Sequence, residues 1–328
     1  MSSRKDSRKT KQERKLKLTM KEPYPRKPLF SKRIRGYVDL VRPFTLLAPV
    51  IVSIFIMAAS LAYSKNTAGI DEWWKTVANA SLTLAFVNAA SNALNQATDV
   101  KADKISKSYR PIPRGIVLPS EAQSIAYILY FFALLRSVMI NVWFGVFVFL
   151  IMVFTVTYSL PPRMKRFLFI NQIWIAIPRG LLGILAAWSV FGDPFQKEPL
   201  TIGIIATFFL IGGMTTKDFV DSKADKKTGV RTLVNTYGIS KASLVSLPFM
   251  FFPFVMIPLL VSSGILNSYL WFLTFFIFPS FLVFYLMIKV KESSTLENVH
   301  AWSLMYVEYF FLAMGFSVLV ILGETGLL

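Results

Sequence analysis

The sequence predicts an all-α fold, a polytopic membrane helical bundle of about nine transmembrane helices around a central cavity. Three features point to it. The 328-residue chain is 54% hydrophobic and only 16% charged, a balance foreign to soluble domains. Its apolar residues gather into nine stretches, most of which approach the ~20 residues that cross a hydrocarbon core. Five of its nine aspartates fall in two short clusters at the ends of such stretches. A carboxylate there is costly unless it faces a polar cavity and binds something.

The chain opens on a basic segment. Residues 1–42 hold 15 of the 36 Lys and Arg but only four acids, Asp6, Glu13, Glu22 and Asp39. No apolar run interrupts residues 1–36, so they are not a signal peptide. They read as a disordered tail held near anionic membrane lipids, and residues 37–328 as the transmembrane domain. Nothing beyond charge argues for nucleic acid, and none is expected as a partner.

The nine candidate spans lie near 43–63, 77–98, 120–135, 138–158, 168–191, 200–217, 242–264, 268–288 and 301–323. The third is short, with Arg136 between it and the fourth, which suggests a tight hairpin there. Prolines at 49, 178, 248, 253, 258 and 279 predict kinks, which membrane helices tolerate when neighbours satisfy the freed carbonyls. Loops near 99–121, 159–167, 217–241 and 289–300 carry sixteen Lys and Arg, whereas the opposite loops carry four, Lys65, Lys75, Arg136 and Lys197. The positive-inside rule then puts the N-terminus and both aspartate clusters on the cytoplasmic side of the cell membrane, and the C-terminus outside.

Residue types narrow the chemistry. There are no cysteines and one histidine, His300, so thiolate or histidine metal sites and a Ser/His triad are disfavoured. Hard cations on oxygen ligands remain, which favours Mg2+. The first cluster, Asn95-x3-Asp99-x3-Asp103, continues a line of amides from Asn88 and Asn92, and at about 100° per residue these five fall within an arc of about 80°. The second, Asp218-x2-Asp221-x3-Asp225, falls within about 60°. Such carboxylates repel one another unless cations intervene, and a diphosphate bridged by Mg2+ fits them. The plainer alternative is that each is paired with an interleaved base such as Lys101, Lys104, Lys223 or Lys226.

Three loops on the same side supply cations for a diphosphate. They are Tyr158-Ser-Leu-Pro-Pro-Arg163-Met-Lys165, Arg110-Pro-Ile-Pro-Arg114-Gly, and Lys217 with Arg231 flanking the second cluster. Arginine grips phosphate through two parallel bonds and lysine acts as a point charge. Arg166, Lys227 and Lys241 read better as residues touching headgroups. Arg179, in mid-span, is expected to be buried and paired inside the bundle.

These residues together resemble the UbiA superfamily of intramembrane prenyltransferases over nearly all of the chain after about residue 36. Asn92-Ala-Leu-Asn95-Gln-Ala-Thr-Asp99-Val-Lys-Ala-Asp103 is similar to its N-D-x-x-D-x-x-x-D signature. Lys217-Asp218-Phe-Val-Asp221-Ser-Lys-Ala-Asp225, with the downstream Gly229 and Thr232-Leu233, is similar to its K-D-x-x-D-x-x-x-D-x-x-x-G-x-x-T-L motif. Tyr158-Ser-Leu-Pro-Pro resembles its Y-S-x-P-P loop, and Arg42-Pro43 its first-helix R-P. One departure stands out: Gln96 occupies the place where members commonly carry Asp. The resemblance implies that Asn95, Asp99, Asp103, Asp218, Asp221 and Asp225 hold Mg2+ on an isoprenyl diphosphate donor. It also implies that Lys165, Arg163, Arg110 and Lys217 neutralise the leaving diphosphate, with Tyr158 as a hydrogen-bond donor and Asn92 and Arg42 among the diphosphate contacts.

Within the superfamily, the K-D-F and R-P-I-P-R-G wording resembles the branch of archaeal digeranylgeranylglyceryl phosphate synthases and chlorophyll synthases. The expected reaction is therefore transfer of an isoprenyl group, geranylgeranyl by preference, to a hydrophobic or phosphorylated lipid acceptor, geranylgeranylglyceryl phosphate first. Prenylation of an aromatic quinone precursor or a tetrapyrrole is the alternative. A cation-coupled transporter is more remote, because acid is concentrated on one face rather than along a path through the bilayer.

Overall fold

The computed structural model describes residues 30–65, 72–289 and 299–328. Residues 1–29, and hence most of the basic tail, lie outside them, as does most of the loop near 289–300. Among the described residues the chain is helical throughout. Eight segments are long and apolar enough to cross a membrane. A ninth helix, α3 (Trp73–Thr98), has 26 residues, and its mean hydropathy is lowered by Asn79, Asn88, Asn92 and Asn95.

Helix α1 (Phe30–Val41) starts inside the segment assigned to the tail and has three faces. Gly36 and Leu40 are buried against the bundle, Phe30, Ile34 and Val38 form an exposed apolar stripe, and Lys32, Arg35 and Asp39 are exposed on the third. That is the geometry of a helix lying along a membrane interface. Gly36 is required there, since a Cβ would stand 2.6 Å from Ile116 Cγ2. Arg33 fastens the helix further, donating to Glu121 at 2.5 Å and to Tyr37 at 2.9 Å. Between α1 and α2 (Pro43–Ser64), Arg42 sits in the left-handed region at φ 55°, ψ 70°. The proline that follows disfavours the right-handed helical conformation for it.

Helix α3 packs extensively on α5 (Pro119–Ile140). Buried alanines on both sides, Ala80, Ala90 and Ala93 against Ala122, Ala126 and Ala133, let the backbones approach closely, the small-residue packing that replaces a hydrophobic driving force in lipid. Helix α4 (Val100–Ser106) continues from α3 after a break at Asp99. The expected hairpin around Arg136 is displaced. Arg136 lies inside α5, bonded to the Asn79 side chain and Thr83 and stacked over Phe86. The break falls instead at Asn141, whose Oδ1 accepts the Phe144 amide at 2.7 Å and caps α6 (Val142–Ser159).

The span expected near 168–191 is present as Ile170–Trp188, built of two helices, α7 (Ile170–Arg179) and α8 (Leu181–Trp188), that break at Gly180. Thr207 on α9 (Lys197–Gly213) presses into this break. Its Oγ1 accepts the Leu181 amide at 2.8 Å, and a Cβ on Gly180 would lie 2.7 Å from the Thr207 backbone. Helix α10 (Thr215–Thr228) carries α9 onward and ends at Gly229, φ 76°, a left-handed C-cap that favours glycine. After the short α11 (Leu233–Tyr237), α12 (Ile239–Val255) and α13 (Ile257–Ser262), a 3-10 segment (Ser268–Phe276) leads into α14 (Ile277–Lys289) and α15 (Val299–Glu324). The bundle encloses a cavity of about 900 Å³, open among the loops that carry the aspartates.

Because the α7–α9 crossing has no room for a methyl group, Gly180→Ala is expected to destabilise the protein by about 1–3 kcal/mol. Thermal unfolding in detergent, with a lower melting temperature for the variant, checks this.

Candidate active site

Both aspartate clusters line the one cavity, with Asn92, Asn95, Asp99 and Asp103 on one wall and Asp218, Asp221 and Asp225 on another. The direct link between them is Lys107, whose Nζ lies 2.5 and 2.6 Å from the two carboxylate oxygens of Asp221. Asp99, Asp103 and Asp218 are also matched to bases, whereas no base lies within 4 Å of the Asp225 carboxylate among the described residues. Arg110 donates to both oxygens of Asp103 at 2.9 and 2.7 Å, and both side chains are buried. Asp99 receives Arg163 at 3.0 Å, the Lys165 ammonium, and the Asn95 amide at 2.9 Å. Lys217 stands 3.5 Å from Asp218 and bonds Tyr158 OH at 3.1 Å. Lys165 and Lys217 also flank the Tyr158 ring, 5.8 and 5.7 Å from its centre.

Pairing with bases is therefore present, but not with the interleaved lysines. Lys101, Lys104, Lys223 and Lys226 are exposed, and none lies within 4 Å of an aspartate carboxylate. The partners come from loops distant in sequence. Lys107 was not singled out by sequence reasoning, because its partner lies 114 residues away and nothing local marks the pair. Among the described residues, no three acidic side chains converge as a ready-made metal cage. One oxygen does stand out: Asp218 Oδ2 is buried with no hydrogen-bond partner.

Desolvation weighs on the loop residues. Burial pushes the Asp103 carboxyl above the ordinary range, against the opposing charge of Arg110. Burial likewise lowers the Lys165 ammonium, and Asp99 opposes the change. In each case the partner's opposite charge works against the effect of burial.

The amide line of α3 divides its labour. Asn95 faces Asp99, whereas its neighbours hold the α1–α2 turn. Asn88 donates to the Thr45 carbonyl at 2.8 Å, and Asn92 to the Val41 carbonyl at 3.0 Å and Thr45 Oγ1 at 2.8 Å. Gln96 donates to the Leu40 carbonyl at 2.6 Å and is buried away from the cavity lining. An aspartate there has no hydrogen to give that carbonyl. The three amides and the Thr45–Arg42 backbone bond of 2.9 Å thus hold Arg42, which lines the cavity, in its left-handed conformation. Arg179 departs from expectation: it is exposed to the cavity rather than buried, and Tyr306 OH accepts from its Nη1 at 2.8 Å. Arg114 and Arg231 are exposed loop residues.

Comparison with known proteins agrees with this arrangement. The model of the UbiA prenyltransferase family matches residues 46–315. The chain belongs to this family. Among its relatives, the digeranylgeranylglyceryl phosphate synthase of Methanobrevibacter smithii is 25% identical over 237 residues, covering 70% of this chain and 79% of the relative. The chloroplastic homogentisate solanesyltransferase of Arabidopsis thaliana is 28% identical over 289 residues, covering 82% and 73%. A UbiA homologue from Archaeoglobus fulgidus, solved with GPP and Mg2+, shares the fold at TM-score 0.64 and 18% identity over 85% of this chain and 99% of its own. A digeranylgeranylglyceryl phosphate synthase structure superposes with TM-score 0.64 at 21% identity, over 88% of this chain and 99% of that one. This prenyltransferase is accordingly a multi-pass helical membrane protein.

Replacing Gln96 by Asp removes the donor to the Leu40 carbonyl and buries a carboxylate beside it. The expected cost is about 1–3 kcal/mol, read as a lower melting temperature in detergent for Gln96→Asp than for the wild type.

Proposed function

We propose that this prenyltransferase moves an isoprenyl group, geranylgeranyl by preference, from its diphosphate to geranylgeranylglyceryl phosphate, with Mg2+ as cofactor. The observation that carries the reading is the cavity in which two aspartate clusters and ten bases meet beside apolar walls. The donor set fits a hard cation: carboxylate oxygens, one of them, Asp218 Oδ2, buried without a partner, plus the Asn95 amide oxygen. Asn95, Asp99, Asp103, Asp218, Asp221 and Asp225 are the proposed ligands. When bound, Mg2+ would neutralise diphosphate oxygens as a Lewis acid.

The side chains account for the rest. Lys165, Lys217 and Arg163 present positive charge around Tyr158, where it meets the negative charge that grows on the leaving diphosphate as the allylic C–O bond breaks. The electron pair departs with the diphosphate, the acceptor hydroxyl oxygen bonds to the allylic carbon, and the hydroxyl proton is released. Arg110 and Lys107 hold the Asp103 and Asp221 carboxylates in place. Walls that include Ile151, Trp174, Ile175 and Leu210 exclude water from the developing cation. The excess of Lys and Arg in the loops on this face supports a cytoplasmic position for it and for the N-terminus under the positive-inside rule. A second reading, prenylation of an aromatic quinone precursor, draws support from the likeness to a homogentisate solanesyltransferase over 82% of the chain.

The test is a product assay with purified protein, Mg2+ and labelled geranylgeranyl diphosphate, offered geranylgeranylglyceryl phosphate beside 4-hydroxybenzoate. Label in the phospholipid is the expected result. Label in the aromatic acid alone replaces the acceptor, and the absence of any Mg2+-dependent donor binding contradicts the reaction. Asp99→Ala and Asp221→Ala are each expected to lower turnover by about 100-fold or more, the scale of a lost electrostatic contact to the transition state, while the melting profile stays cooperative. Near-wild-type turnover in either would remove these residues from the site.

A further inference from the structure

Arg179 is the last residue of α7 and lies within a membrane-spanning segment. An arginine at that depth is costly to keep and ordinarily pairs with an acid. Here it has no acid: among the described residues no carboxylate lies within 4 Å of its guanidinium. The contrast with Lys107, Arg110, Arg163, Lys165 and Lys217 is sharp, because each of those bases holds an aspartate. Instead, Arg179 is held by neutral groups. Its carbonyl accepts from Tyr309 OH at 2.7 Å, and its Nη1 donates to Tyr306 OH at 2.8 Å and lies 3.8 Å from Met214 Sδ. Only Nη1 is engaged, so most of the guanidinium fork faces the cavity without a protein acceptor. Met214, against which Nη1 lies, precedes Asp218 by four residues, about one helical turn along the span that carries the second aspartate cluster.

We propose that Arg179, with Tyr306, forms a second anion subsite that takes the anionic headgroup of the acceptor, a phosphate or a carboxylate, apart from the diphosphate site at the aspartates. This rests on the prenyl-transfer reading and assigns the residues that take the acceptor's anion. A donor diphosphate is already provided with bases and carboxylates at the two aspartate clusters. A further cation without a counter-charge among the described residues calls for a second anion bound at the same time. The planar guanidinium suits a phosphate or carboxylate held through two parallel bonds, and the Tyr306 hydroxyl fixes its plane. A neutral acceptor would leave the arginine unpaired.

The experiment measures equilibrium binding by quenching of tryptophan fluorescence, since Trp174 and Trp302 line the cavity. The full chain in detergent, with Mg2+ and the unreactive geranylgeranyl thiodiphosphate, is titrated with geranylgeranylglyceryl phosphate, with its dephosphorylated alcohol, and with 4-hydroxybenzoate. The expected result is that Arg179→Gln loses about tenfold or more in affinity for whichever anion the wild type binds, with affinity for the alcohol and the thiodiphosphate unchanged. Arg179→Lys, which keeps the charge but not the fork, should fall between, and it serves alone if Arg179→Gln fails to give a cooperative melt. Preference for the phospholipid or for the aromatic acid identifies the source of the anion. Equal weakening of anion and alcohol, parallel loss of thiodiphosphate binding, or no change would overturn the subsite. Wild-type protein that binds the thiodiphosphate but neither anion would do so too, while leaving prenyl transfer standing. Failure to bind the thiodiphosphate at all would instead sink the underlying reaction.

Discussion

Everything in this molecule turns on keeping carboxylates charged at the edge of a bilayer. A single unpaired aspartate there is driven to take up a proton, because hydrocarbon and buried protein solvate anions poorly. The fold answers with bases drawn from distant loops: Lys107 for Asp221, Arg110 for Asp103, and Arg163 with Lys165 for Asp99. These pairs tie the loops together around the cavity and set a positive charge beside each of these three aspartates. Breaking a buried pair by removing one member is far costlier than the pair's net worth, so acids and bases are mutually dependent. A metal–diphosphate complex offers the same balance of charge, which is how one set of contacts can serve both the empty and the loaded site.

The rest of the architecture delivers these loops. α3 and α5 approach through alanines, so the helix that carries the first cluster is held rigidly. The continuous run of α9 and α10 carries the second cluster beyond the crossing at Gly180. α1 lies across one edge, and the amides of Asn88, Asn92 and Gln96 reach over to its end and to the start of α2. α3 thus gives donors to the turn that carries Arg42, and its C-terminal end leads into Asp99 and, on α4, Asp103.

Much of this is legible from sequence, and the reasons are physical. Aspartates at helical spacing beside apolar runs announce a polar cavity, and the one-sided distribution of Lys and Arg shows that both clusters share a face. A residue about 100° from Asn95 turns out of the stripe, as Gln96 does. Less was visible wherever partners are far apart in sequence. The pairing of Lys107 with Asp221 depends on how α4 meets α10. The break at Gly180 depends on Thr207 pressing from another helix. Arg136 reads as a loop charge until Asn79 is seen beside it, and Asn141, a good N-cap, marks the true boundary. The sequence reads Arg179 as half of a buried pair, and only the three-dimensional arrangement reveals that no acid among the described residues pairs with it.

The central claim is that the two clusters jointly hold a divalent cation only with a diphosphate between them. Mn2+ in place of Mg2+, followed by electron paramagnetic resonance on the purified protein, tests it directly. The account predicts tight Mn2+ binding that requires an unreactive isoprenyl diphosphate analogue, shows phosphorus coupling, and is lost in both Asp99→Asn and Asp218→Asn. Mn2+ that binds equally well without the analogue, or that survives both substitutions, would contradict it.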